Sequence, residues 1–100
     1  MKPLFYGIGA YTENQPMRQA CWRHHDIIIV LSGVAHLTVG DETCSCSPEH
    51  ALHIAPHTPF HGLSGTVGCR LWVHHFAVNK TDRCALPDLR SSGFFSNPVT

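Results

Sequence analysis

The run Ile27-Ile28-Ile29-Val30-Leu31 constrains the fold more than any other segment. Four of its five residues are β-branched, and side chains stiff at χ1 favour an extended chain over a helix. Asp26 and Ser32-Gly33 bound the run, so it is the length of a buried strand. Gly33 is expected to turn the chain into a second strand, Val34 to Val39. Gly40-Asp41 is then a two-residue hairpin signal leading to a third, Glu42 to Cys46. The expectation is a three-stranded antiparallel meander.

Pro48 closes that unit, Ala51-Leu52-His53-Ile54 reads as a further strand, and Pro56-His57-Thr58-Pro59 reads as a rigid loop. Gly62, Gly65 and Gly68 suggest a second loop before Cys69 to Val78, which reads as the longest strand. Strands spaced by about 8–12 residues with turn signals between them predict a small all-β barrel or sandwich. No amphipathic helix, internal repeat or low-complexity segment interrupts this pattern. Residues 1–16 read as an N-terminal arm whose Leu4, Phe5, Tyr6 and Ile8 need an apolar surface. Residues 17–78 form the barrel, and residues 79–100 are linker-like, with Phe94-Phe95 expected to dock on it.

At 100 residues, 43% hydrophobic and 14% charged, the chain is one small domain rather than a disordered segment or a pair of large domains. Seven basic residues balance seven acidic ones, which argues against direct contact with nucleic acid. A signal-peptide apolar core and a membrane-spanning run of about 20 apolar residues are both missing from the sequence. Five cysteines leave at least one thiol unpaired and suit a reducing compartment. The expected location is the cytoplasm.

Nine histidines are the compositional outlier. Imidazole is a common metal ligand, but adjacent histidines in a strand point to opposite faces. The pairs His24-His25 and His74-His75 therefore offer one ring each to an interior metal site, which would gather His24 or His25, His61 and one of His74 and His75. Histidines hydrogen-bonded on strand faces are the simpler reading. Cys44 and Cys46 share a strand face but lack the CxxC spacing of zinc or redox sites, and buried small hydrophobes explain them more cheaply. Arg18 and Arg23 precede the first core strand and suit hydroxyl or carboxylate ligands, although arginines are ordinarily surface residues. Trp22 and Trp72 can serve in packing or as platforms for a sugar-like ring.

Four ordered pieces resemble the N-terminal ligand-binding domain of AraC-family transcription regulators, a cupin-like antiparallel β-barrel of jelly-roll type. They are Asp26 to Gly33, His36 to Asp41, Ser47 to Pro59 and Cys69 to Phe76, within residues 17–78. Metal-using cupins carry two histidines and a glutamate before the first glycine motif, and another histidine after the proline loop. Here Asp26 takes the glutamate place, Ala20 and Trp22 fall at the histidine places, and either Phe60 or His61 takes the last. The family's three-histidine, one-carboxylate centre therefore cannot be assembled, and the resemblance implies no metal, cofactor or catalytic residue of that pattern, with a different metal arrangement left open.

It implies instead a small-molecule effector, often a sugar, inside a barrel that forms a homodimer. Arg18 falls where arabinose-binding members use an arginine. The family's aromatic position falls at Trp72 or Val73, with His74 or His75 facing inward beside it. Arg18, His24, His61, Trp72 and His74 are the expected ligand contacts. DNA would be contacted by a C-terminal pair of helix-turn-helix units, which residues 79–100 do not contain. A small stand-alone metal-dependent cupin enzyme is the alternative, and a module whose histidines make an interface pH-sensitive is a third.

Overall fold

A computed structural model describes residues 2–48, 50–78 and the backbone of 93–96. Its elements are β1 (Lys2–Tyr11), β2 (Pro16–Ala20), β3 (His25–Val39), β4 (Glu42–Cys46), β5 (His50–Ile54), β6 (Phe60–Ala77) and β7 (Gly93–Ser96). All pairings are antiparallel, in the order β1-β6-β3-β5-β7, with β2 on β6 and β4 on β3. The architecture is all-β, as the strand patterning predicts.

The spine is one long ribbon of β3 against β6. His25 to Gly33 pair with Phe76 back to Cys69, and Ala35 to Val39 pair with Ser64 back to Phe60. The register slips on either side of Ser32-Gly33, where two irregularities bend the ribbon. Gly33 has φ 75°, and Gly68, next to its partner Cys69, has φ 74°. A Cβ on Gly33 would collide with the Gly68 carbonyl, so the two backbones meet at this corner. The bend leaves β1, β5 and β7 beside one half of the ribbon and β2 and β4 beside the other.

Gly33 therefore bends a continuous strand rather than reversing it, and the expected meander is corrected to a folded ribbon. Gly62, Gly65 and Gly68 likewise lie within β6 rather than in a loop. Gly65 admits the Val34 backbone closely, and Gly68 admits Tyr11, a use of glycine that resembles loop punctuation in sequence. The Gly40-Asp41 hairpin stands as read, with Val39 opposite Glu42 and φ 59° at Gly40.

Residues expected as an arm form β1, pairing with β6 from Lys2 opposite Ala77 to Tyr11 opposite Cys69. β7 pairs with β5, which places the Phe94-Phe95 backbone against Leu52 and Ala51. The remaining tail, with Cys84, lies outside the described residues. No helix among the described residues is long and apolar enough to cross a membrane.

Alternation along β3 sends Ile28 and Val30 inward, where they meet Leu37, Val39, Cys46, Leu52, Ile54, Cys69 and Leu71 in one core. Ser64, fully buried, joins the β1–β2 connection to β6. Its hydroxyl accepts the Gln15 amide at 2.8 Å and donates to the Thr12 carbonyl. Ser64→Ala leaves both groups short of a partner and is expected to cost about 1–3 kcal/mol in urea unfolding. A change below about 0.5 kcal/mol would mean that these bonds do not hold the connection.

Candidate functional site

The folded ribbon leaves a cavity of about 400 Å³ between its halves, within the range of small-molecule sites. Ile28, Leu71, Val73, Asp26 and His75 enter it from one half, and Leu37, Phe60, His61 and Gly62 from the other. Met17, Arg18 and Gln19 on β2, with Cys21 and Trp22 after it, complete one side. Arg18, Gln19, Cys21, Trp22 and His61 are exposed, whereas Asp26, Ile28, Leu37 and Leu71 are buried. The cavity thus has a polar mouth, an apolar middle and a carboxyl group set in its wall. The His57 amide donates to the Trp22 carbonyl at 2.7 Å and ties the β5–β6 loop to the segment carrying Trp22.

Asp26 is the chemically unusual residue. It is 2% exposed, and Oδ1 meets no hydrogen-bond partner among the described residues. His75 Nε2 lies 3.4 Å from Oδ2. Burial pushes the carboxyl from 3.8 up to about 7, against the pull of the His74 and Ile27 backbone amides. A carboxyl at that value is poised to exchange a proton near neutrality.

His75 continues the polar chain outward, with Nδ1 2.7 Å from His24 Nε2. Burial first, and then the neighbouring His24 and His74, lower the His75 pKa. His24 stacks on Trp22 at 5.6 Å between ring centroids, and Trp22 also tilts against His75 at 5.2 Å. Asp26, His75 and His24 therefore form a continuous polar path from the buried wall toward the surface.

Two of the expected contacts, Arg18 and His61, line the cavity together. His24 stands one hydrogen bond behind it. Trp72 and His74 lie on the other face of β6, where His74 packs edge-on against Trp72 at 5.2 Å and Phe76 at 5.9 Å. Their inward placement is corrected by one residue, since alternation gives the cavity Val73 and His75 instead. His74 Nε2 is buried there without a hydrogen-bond partner among the described residues. On the same outer face His25 Nδ1 and His53 Nε2 meet at 3.0 Å, with the His25 ring stacked on Phe76.

Asp26 itself is absent from the expected contacts, although its position signals the role. It precedes the apolar run by one residue, and period two puts it on the face of Ile28 and Val30.

A metal does not fit these residues. No group of three or more His, Cys, Asp or Glu among the described residues is arranged to hold an ion. Ala20 and Trp22, at the family's histidine places, line the cavity without a metal-donor atom. His24 and His75 turn facing nitrogens toward each other.

No family model matches the chain, and neither does any curated protein. Solved structures do. An RmlC-like cupin from Shewanella frigidimarina NCIMB 400 superposes with a TM-score of 0.69 at 12% identity, covering 80% of this chain and 70% of that one. The Schizosaccharomyces pombe Cnp3 cupin domain gives 0.67 at 15% identity, covering 83% of this chain and 63% of its own. KdgF from Halomonas sp. gives 0.64 at 14% identity, covering 81% and 76%. The AraC-type part of the resemblance rests on the sequence motifs alone. At these identities the likeness is one of architecture, and the chain has the cupin fold.

Proposed function

We propose that the chain is a small-molecule-binding cupin domain serving as the effector-sensing part of an AraC-type regulator. The cavity carries this reading: it is large enough for a compact ligand, open at a polar mouth, and has the buried Asp26 in its wall. A ligand with an apolar body fits Met17, Ile28, Leu37, Phe60, Leu71 and Val73, and its polar end meets Asp26. Arg18 and His61 meet groups left at the mouth. The lining is too apolar to satisfy every hydroxyl of a free sugar, so the expected effector is less polar than a hexose. Ligand binding would act on a regulator through differential affinity for two arrangements of the domain.

Screening small metabolites by amide chemical shift is expected to find saturable ligands whose perturbations centre on Met17, Trp22, Ile28, Val73 and His75, with altered Trp22 fluorescence. Perturbations confined to the outer face of β6 would overturn the reading. A metal-free acid–base enzyme is the second reading, favoured by the Asp26–His75 pair. It predicts turnover of a bound carbon acid that Asp26→Asn abolishes.

A homodimer is also proposed, through the outer face. Ile8, Trp72 and Ile29 make one cross-strand row there, beside Tyr6, His74 and Ile27. Tyr6 and Ile8 are 70% and 57% exposed, an uncovered apolar edge. Ile8→Asp is expected to shift sedimentation from dimer to monomer, and a monomeric wild type would remove the dimer.

A further inference from the structure

Resting on that ligand-binding reading, we propose that Asp26 recognises a protonated amine: the cavity takes a compact ligand with an apolar body and an ammonium head that docks on the Asp26 carboxyl. Asp26 then gives up its proton. The balance is simple, since R–NH3+ enters, Asp26–COOH becomes carboxylate, and one proton leaves for solvent along His75 and His24.

The geometry favours an amine over other donors. Asp26 lines the cavity, and its Oδ1, closed to water, is unpartnered among the described residues, so the fold supplies this carboxyl with fewer donors than a carboxylate takes and a ligand donor stabilises the ionised form. His75 Nε2 stands 3.4 Å from the other oxygen, near enough to take the departing proton, and burial, which lowers its pKa, disfavours its standing there as a fixed counter-charge. The aromatic residues lining the cavity, Tyr11, Trp22 and Phe60, suit a cation as well as an apolar body. An anion, in contrast, would meet the carboxyl in the cavity wall.

The charged and titratable groups around Asp26 can be named element by element. β6 contributes His75 and His61, β2 contributes Arg18, and Cys21 and His24 stand between β2 and β3. Tyr11 reaches in from β1, while β5 faces the interior with Leu52 and Ile54 only in its described core positions. Arg18 and His61 are exposed and screened, which leaves Asp26 as the deciding charge inside.

The test is calorimetry of the full chain with benzylamine, benzyl alcohol and benzoate, in two buffers of different ionisation enthalpy. Benzylamine is expected to bind tightest and to release close to one proton at pH 6. Its affinity is expected to rise about tenfold from pH 6 to pH 8, as a carboxyl of pKa about 7 becomes ionised. In Asp26→Asn, the benzylamine preference, the proton release and most of the pH dependence are lost. His75→Gln, which keeps Asp26, retains the preference for the amine. Benzyl alcohol binding as well as benzylamine, or benzylamine binding without proton release, overturns the amine assignment and leaves the ligand-binding reading standing. If none of the three binds, the amine assignment falls, and the metabolite screen decides the wider reading separately.

Discussion

Asp26→Asn is expected to stabilise the fold at pH 8 and to leave it unchanged near pH 4. The carboxyl is buried, and its folded pKa of about 7 stands above the ordinary 3.8. Below the lower value both states carry the proton, and the carboxyl costs the fold nothing. As pH rises, the unfolded chain ionises first and binds fewer protons than the folded one, so stability falls. The loss is complete once pH has passed about 7. A shift of roughly three units corresponds to at most roughly 4 kcal/mol, a large share of a small domain's stability. Asparagine preserves the shape and cannot ionise. Urea unfolding from pH 4 to pH 8 should therefore show the two proteins diverging, with the variant ahead at high pH. His75 acts with the opposite sign, because a lowered histidine pKa removes stability as pH falls, and it is common to both proteins. A variant less stable than wild type at pH 8, or a difference independent of pH, would mean that Asp26 is hydrated in the folded state.

Gly33→Ala is expected to cost at least about 3 kcal/mol, against about 1 kcal/mol for Gly40→Ala. Both glycines hold φ in the left-handed region, at 75° and 59°, so both substitutions meet the backbone penalty of an L side chain there. They differ in surroundings. A Cβ on Gly40 finds nothing within 4 Å, whereas one on Gly33 collides with the Gly68 carbonyl and approaches Cys69 Cα to 2.9 Å. Both obstacles are backbone, so the corner of the ribbon must open, and the two walls of the cavity separate with it. Thermal or urea unfolding of both variants measures the difference. Equal losses would show that the two strands do not touch at this corner.

The strand character of Ile27 to Leu31, the Gly40-Asp41 hairpin and the all-β class were legible because each rests on a local rule of side-chain shape or turn geometry. The folded ribbon was not. Gly33, Gly65 and Gly68 carry the same residue type whether they reverse a chain or admit a neighbouring backbone, and tertiary contact separates the two uses. The inward set on β6 turned on a one-residue choice between Trp72 with His74 and Val73 with His75, which composition cannot make. Arg18 and His61 were placed by motif position, and both line the cavity. Asp26 was visible as a motif residue. Its chemistry comes from burial, which the sequence encodes only through its alternation with Ile28 and Val30.

The most direct measurement is the titration of the Asp26 side-chain carboxyl by 13C NMR in the intact chain, assigned by comparison with Asp26→Asn. A buried carboxyl in the cavity wall predicts a midpoint near pH 7, with a matching inflection in the His75 ring signals. A midpoint near the ordinary 3.8 would place Asp26 in water. It would also contradict the site built around it.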